Sequence, residues 1–434
     1  MFQRETLLRF NPFRPNEIVH PGMFAGRFDE LVALEKALFQ TKNGNPAHFL
    51  IDGERGIGKS SLLLNLKWVA AGAIDTLEDS QSFKFITVSI SLDATHSYSD
   101  IVRCIGTELR RKISEREQLK EFARNAWDFM KKWEVAGVKY HEDRADAKDT
   151  ELIEELTFAI AESLKNLGSD VDGVLILIDE ADKPPVSSNL GALVKLLTER
   201  LKLRGCDRVC LGLAGLTALR DRLRKSHESS LRLFRIFALG PLPPNDRAQV
   251  IYRGLKAAQE KNGFPVAITP EAVSSLAFIT EGYPHFIQQF AYCAFEADTD
   301  NNIDTDDVMK GAYGEAGALK QLGLKYFEKQ YFDQIGSDEY RQVLRVMAKH
   351  FDAWITKAEI RKEATHIKAS TLDNALSALK SRGIIVPKSG KKGTYKLPSR
   401  SFAVWIRAYT QAEELVASVN PPGQRFIAAD HGPD

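Results

Sequence analysis

The chain has 434 residues, too many for one compact core, so two or three domains are expected. Its apolar share of 44% and charged share of 27% are those of a globular protein, and no apolar run approaches the ~20 residues that span a bilayer. The net charge of +1 conceals an asymmetry: residues 338–410 hold 15 Lys and Arg against 6 Asp and Glu, so this stretch carries +9 and the remainder −8, which points to an anionic partner for a basic C-terminal module.

Arg4, Arg9, Arg14 and Glu17 interrupt any apolar h-region, so no secretion signal is read and a cytoplasmic location is expected. Cys104, Cys206, Cys210 and Cys293 form no CxxC pair and sit in apolar periodic stretches, which predicts buried reduced thiols and no zinc site. Asn11-Pro12-Phe13-Arg14-Pro15 cannot be helical, because each proline biases its predecessor to extended backbone. Helical spacing follows over Phe28–Leu38, then a short buried strand at His48–Ile51, a helix over Ser60–Ala71 and an alternating strand at Lys84–Leu92. Residues 98–168 read as a charged helical insert: Ile101–Ile113, Glu115–Trp133, an extended piece at Val135–Tyr140, and Glu151–Leu167. Gly173–Asp179 is apolar on both faces, as a central strand of a parallel sheet must be. A helix at Leu190–Leu203 and a strand at Arg208–Ala214 complete a β/α alternation, which implies a doubly wound sheet with its active edge at the strands' C-terminal ends.

From Pro244 to Glu315 strands stop, and Asn245–Gln259, Pro270–Thr280, Pro284–Ala297 and Thr305–Tyr313 read as four helices. Tyr326–Asp338 links to the basic module. There, helices at Glu339–His350, Thr356–Ala364 and Ser370–Ser381 (Ser370 or Thr371 as N-cap) precede a hairpin of Gly383–Val386 and Gly393–Leu397, the pattern of a winged helix-turn-helix. The expected organisation is an arm with a motif box at 1–45, an αβα domain at 46–240, an all-α lid at 241–325, a winged helix at 326–412 and a disordered tail at 413–434.

Gly53-Glu54-Arg55-Gly56-Ile57-Gly58-Lys59-Ser60 matches G-x-x-x-x-G-K-[ST]. Its glycines let successive backbone N–H groups face a phosphate, and the following helix presents its positive N-terminal end, with Ser61 beside it as a further contact. Lys59 is expected to reach the β- and γ-phosphates of ATP, and the Ser60 hydroxyl to ligate Mg²⁺. Asp179-Glu180 ends the most apolar strand: Asp179 would hold Mg²⁺ through water, and Glu180 would polarise the attacking water. Residues 179–182 spell Asp-Glu-Ala-Asp, but a helicase of that type needs a second RecA-like domain, whereas this chain continues into helices.

Taken together these residues resemble the AAA+ ATPases of the replication-initiator-like, STAND-adjacent type, over about residues 11–410. Asn11-Pro12-Phe13 is similar to bacterial members described only as ATP-binding proteins. Phe24-Ala25-Gly26-Arg27-Phe28-Asp29-Glu30-Leu31 looks like the family's F-x-G-R-x-x-E-L box, so the resemblance places Phe24 and Arg27 beside the adenine. Gly282-Tyr283-Pro284-His285 resembles the STAND G-x-P motif and the sensor-2 position, which implies that Pro284 and His285 approach the nucleotide; the family often has Arg where His285 stands, and an ordinary proline at the first helical position is the other reading. Sensor 1 should be a polar residue after Arg208–Ala214, yet Gly215-Leu216 stands there with Thr217 the nearest candidate, which implies slow hydrolysis. Arg232 and Arg235 fall where relatives carry an arginine finger, which would imply homo-oligomers; solvated arginines on a helix face explain them equally.

In a winged helix the third helix enters the major groove and the wing touches backbone. That helix would offer double-stranded DNA Lys368, Ser370, Thr371, Asn374, Ser377, Lys380 and Arg382, and the wing Lys388, Lys391, Lys392 and Lys396. Winged helices also bind proteins, so two readings stand: an ATP-controlled DNA-binding switch, and a STAND-like signalling ATPase whose winged helix meets a protein partner. Phe402 and Trp405 lie on an apolar helical stripe and are assigned to a core.

Overall fold

A computed structural model describes residues 9–19, 24–76, 82–115, 145–328, 331, 335–350, 353–388, 390–398, 402–403, 405–407 and 409–410. The expected helix to Trp133, the extended piece at Val135–Tyr140 and the tail at 413–434 lie outside them. The chain divides into two compact units, Asn16–Leu242 and a second that joins Met1–Pro15 to Pro243–Asp434.

The first unit is a five-stranded sheet in the order β2-β3-β4-β1-β5, from β1 (His48–Gly53), β2 (Phe85–Ser91), β3 (Gly173–Asp179), β4 (Val209–Gly215) and β5 (Phe234–Leu239). Every pairing is parallel. Helix α1 (Phe28–Lys42) leads into β1; parallel strands need crossovers, and these are the helices α2 (Lys59–Ala70), α3 (Tyr98–Ser114), α4 (Ala145–Leu167), α5 (Leu190–Leu203) and α6 (Leu219–Ser226). Leu175, Ile176 and Leu177 of β3 are buried between neighbours on both sides, as the unbroken apolar run predicts. α3 starts on a capping box, Ser97 with Asp100, and buries Ile101, Ile105 and Leu109 against the sheet. β5 is not foreseen in the sequence. It is an edge strand bonded only to β1, and Arg235 and Ile236 stay exposed, so its apolar alternation is broken.

His48 opens β1 with its ring beside Phe234, and its Nδ1 accepts the Leu211 N–H at 3.1 Å. Burial lowers its pKa to about 4. The unfolded imidazole, near 6.5, binds its proton first, so this contribution to stability is complete above about pH 6.5 and is lost as pH falls towards 4, a range worth roughly 3 kcal/mol. His48→Asn keeps an acceptor and removes the titration, so its urea midpoint is expected to fall less between pH 6.5 and 4.5 than that of the parent.

In the second unit, helices at Pro244–Asn262, Pro270–Ile279, Pro284–Ala297 and Thr305–Tyr313 match the four expected. The expectation that strands stop here is corrected by a short parallel pair, Ala267–Ile268 with Asn302–Ile303, too brief to show a period in sequence. Residues 9–15 belong to this unit: Phe13 is buried over Gly254 and edge-on to Phe295, and Arg9 pairs with Asp298 at 2.5 Å. Three further helices, Asp338–Lys349, Lys357–Glu363 and Ala369–Ser381, accompany an antiparallel sheet in which Thr394–Lys396 lies between Ile355–Thr356 and Val386–Pro387. The N-cap of Ala369–Ser381 is Lys368, without a side-chain cap, rather than Ser370 or Thr371. Phe402 and Trp405 are buried, with the Trp405 indole N–H donating to the Leu319 carbonyl at 3.1 Å. Among the described residues no helix is long and apolar enough to cross a membrane.

Candidate nucleotide site

The C-terminal ends of β1 and β3 place the two motifs. Gly53 ends β1 against β5, where a Cβ would lie 2.8 Å from the Leu239 carbonyl and 3.0 Å from Ile57, so the loop must begin with glycine. Gly56 and Gly58 then take φ of 77° and 98°, which reverses the chain into α2. Glu54 leads into a turn at Arg55 and Gly56, Ile57 anchors the loop in the core, and Ser60 lies in the first turn of α2. The Ser61 hydroxyl accepts the Val19 N–H at 3.3 Å, tying α2 to the segment before the box. Lys59 Nζ donates to the carbonyls of Gly53 at 3.0 Å and Glu54 at 2.9 Å, holding the ammonium inside the loop. Burial lowers its pKa, while Asp179, Asp182, Glu180 and Asp52 pull the other way.

Asp179 leaves β3 beside Ser91 of β2, and its Oδ1 accepts the Glu180 N–H at 2.8 Å. Glu180 has φ 55°, a left-handed backbone that a non-glycine residue keeps only where surroundings dictate it. Its carboxylate meets Lys183 Nζ at 3.1 Å. The Ser60 hydroxyl and the Asp179 carboxylate are hard oxygen donors suited to Mg²⁺, which would supply charge neutralisation at the phosphates. Among the described residues no group of three or more His, Cys, Asp or Glu could hold a metal by itself. The four thiols are free, with burial raising Cys206 to about 11 and Cys210 to about 12.

Four further residues shape the site without belonging to a motif: Asp52, Arg220, Asp182 and Gly215. Asp52, the last residue but one of β1, is 1% exposed and is gripped by Arg220 of α6 at 2.5 and 2.6 Å. Asp182, the last residue of the Asp-Glu-Ala-Asp run, is buried and accepts the Leu216 N–H at 2.8 Å. Gly215 is needed there, because a Cβ would lie 2.6 Å from the Asp182 carboxylate. Thus, where a polar sensor 1 is expected after β4, two charged side chains converge from other elements. Asp52 was the legible one, a charge at the end of an apolar strand.

The remaining candidates are dispersed. Phe24 is buried, and the Arg27 guanidinium donates to the carbonyls of Ile57 (3.2 Å) and Gly240. Pro284 and His285 open a helix of the second unit, with the His285 ring 6.1 Å from Phe286. Arg232 sits in a 3₁₀ turn (Ser230–Leu233) and Arg235 on β5 with its guanidinium 5.1 Å from the Phe237 ring, so the helix-face reading of both is corrected; they are exposed on a turn and an edge strand. In the basic stretch Ser370, Asn374 and Lys380 lie on the exposed face of their helix, with Lys368 at its entry and Thr371 half-buried. Lys388, Lys391, Lys392 and Lys396 are exposed, and Lys388 and Lys396 lie 5.5 and 4.9 Å from the ring centre of Trp354.

Over 92–94% of its length the chain is similar to several solved structures. The Walker-type ATPase of Pyrococcus abyssi is 17% identical over 92% of this chain and 99% of its own, with a TM-score of 0.48. The ORC2 protein of Aeropyrum pernix, solved in ADPNP and ADP complexes, is 13% identical over 94% and 99%, with a TM-score of 0.49. The ORC1 protein of Aeropyrum pernix in complex with DNA is 16% identical over 92% and 95%, with a TM-score of 0.39. No curated protein matches the chain. Residues 23–206, which hold the glycine loop, β3 and the acidic pair, match the family described as the AAA ATPase domain, so the chain carries an AAA ATPase domain, a nucleotide-binding fold.

Proposed function

We propose that this protein is a slow Mg²⁺-dependent ATPase that uses its nucleotide state to control a DNA-binding module. The observation that carries the reading is the loop Gly53–Ser60 closing around the Lys59 ammonium at the end of the same sheet edge that presents Asp179 and Glu180. Lys59 would exchange two carbonyls for phosphate oxygens, Ser60 and Asp179 would hold Mg²⁺, and Glu180 would orient water. The Lys183 contact of Glu180 must loosen for that last role, which favours slow turnover. Exposed Arg232 and Arg235 would suit contact with a neighbouring copy's nucleotide.

The three helices and the Thr394–Lys396 sheet are read as a winged helix, with Ala369–Ser381 as the groove helix. Asp373 on its exposed face is paired with Lys357, so one negative charge there is already neutralised. The four exposed lysines of the hairpin are placed to meet phosphates. A gel shift of duplex DNA against the full chain, with and without Mg-ATP and across a salt series, tests this. Binding should weaken with salt, and replacing Lys391 and Lys392 by Ala should reduce the slope of log K against log[salt] by about 0.9 for each phosphate no longer neutralised. No binding to any duplex at low salt by ATP-loaded protein sinks the DNA reading and leaves a protein partner for this module.

A further inference from the structure

The chain passes between its two units twice, at Pro15–Asn16 and at Leu242–Pro243. The second crossing leaves β5 at Gly240 and runs through Pro241-Leu242-Pro243-Pro244, a connector whose three prolines fix φ and leave little slack. Gly240 is also where one buried cation takes hold. Arg27 is 8% exposed, and its guanidinium donates to the Gly240 carbonyl and, at 3.2 Å, to the Ile57 carbonyl, with Glu30 Oε1 at 3.3 Å. Its backbone sits at φ 62°, a left-handed geometry that costs on the order of 1 kcal/mol and persists only when surroundings over-determine it.

The partner at Ile57 gives this contact its meaning. The Ile57 carbonyl and the Gly58 N–H belong to one rigid peptide plane and point in opposite directions. A phosphate that draws the Gly58 N–H towards itself must therefore turn the Ile57 carbonyl, and that carbonyl is held by the same guanidinium as Gly240. We propose that Arg27 is a positioning residue that relays occupancy of the glycine loop to the two crossings, and is not a base contact. The proposal rests on the reading of Gly53–Ser60 as a nucleotide loop. The first crossing shares in the movement because residues 9–15 are built into the second unit, through buried Phe13, the Arg9–Asp298 pair and the Arg14 N–H bonded to Gln288 at 2.8 Å. Nucleotide then acts on the second unit through two covalent links rather than one.

Hydrogen exchange read by mass spectrometry on the full chain tests this, with saturating Mg-ADP as the probe and Lys59→Ala as the unbound control. In the parent, nucleotide should change exchange both in a peptide over residues 232–246 and in one over residues 9–19. In Arg27→Gln, nucleotide should bind more weakly, by about tenfold for the removal of one charged hydrogen-bonding group, yet at saturation leave both peptides unchanged. Arg27→Lys, which keeps a cationic donor, should restore part of the response. The proposal is overturned if Arg27→Gln with nucleotide bound responds like the parent, or if folded Arg27→Gln binds none, which makes Arg27 a nucleotide contact. Should Arg27→Gln not fold, the parent and Arg27→Lys decide: a bound parent with no change at either crossing overturns it. A parent that binds no nucleotide, by contrast, overturns the reading of the loop itself.

Discussion

Glu180→Gln is expected to hold ATP and to turn it over about 10²–10⁴-fold more slowly than the parent, the usual worth of a positioned acid–base group. The substitution preserves size and keeps one oxygen, so β3 and the left-handed turn at residue 180 should be undisturbed. What disappears is a carboxylate able to orient and polarise water. Lys59→Ala should separate from it cleanly. Its ammonium makes two hydrogen bonds within the loop, and transferring them to charged phosphates is worth roughly 1.5–3 kcal/mol each. Removal should therefore lower ATP affinity by about 100-fold or more, measured by calorimetry. If Glu180→Gln releases phosphate at the parental rate, Glu180 does not act on the water, and the search moves to Asp182 or Arg220.

The second large effect is on stability. Arg220→Ala leaves the Asp52 carboxylate, 1% exposed, without its cation. Breaking a buried pair from one side typically costs about 3–5 kcal/mol, and because Arg220 is itself 34% exposed, water entry should bring the cost towards the lower value. For a domain of this size that corresponds to a fall in Tm of about 6–20 °C. The relevant transition is the one that bound nucleotide moves upward, which identifies the unit containing the loop. Asp52→Asn combined with Arg220→Gln removes both charges and should recover most of the loss. A drop below about 1 kcal/mol for Arg220→Ala would mean that solvent screens the pair, and that Asp52 is held by something else.

Features carried by contiguous residues were legible in the sequence. The loop Gly53–Ser60 and the strand ending at Asp179 announce themselves because an apolar run, a glycine turn and a helix follow one another within a few positions. β5 escaped because an edge strand needs to bury only part of its surface, and Arg235, its second residue, breaks the apolar run. The Ala267–Ile268 and Asn302–Ile303 pair escaped because two residues hold no period. Contacts between distant residues left no local trace at all: Asp52 and Arg220 are 168 positions apart, and Asp182 meets the Leu216 N–H from 34 away. The polar residue sought after β4 is therefore absent from the expected place, while Asp182 of the β3 turn bonds the Leu216 N–H there and Arg220 of α6 pairs with Asp52. The same holds for Arg27, where a box motif suggests a ligand contact and the fold spends the guanidinium on two carbonyls.

The docking of residues 9–15 into the second unit also sets an order on the ribosome. Arg9 emerges 289 residues before the Asp298 that receives it. By then residues 16–242 have the whole parallel sheet available and can fold as a unit, while Phe13 and Arg9 wait without partners. A segment made well before its partners is thus among the last to settle, and closing so long a loop is a slow step that local helix formation cannot hasten. During that interval Gly254, which the Phe13 ring covers in the folded chain, is open to any similar Pro-Phe segment, including one from another nascent copy.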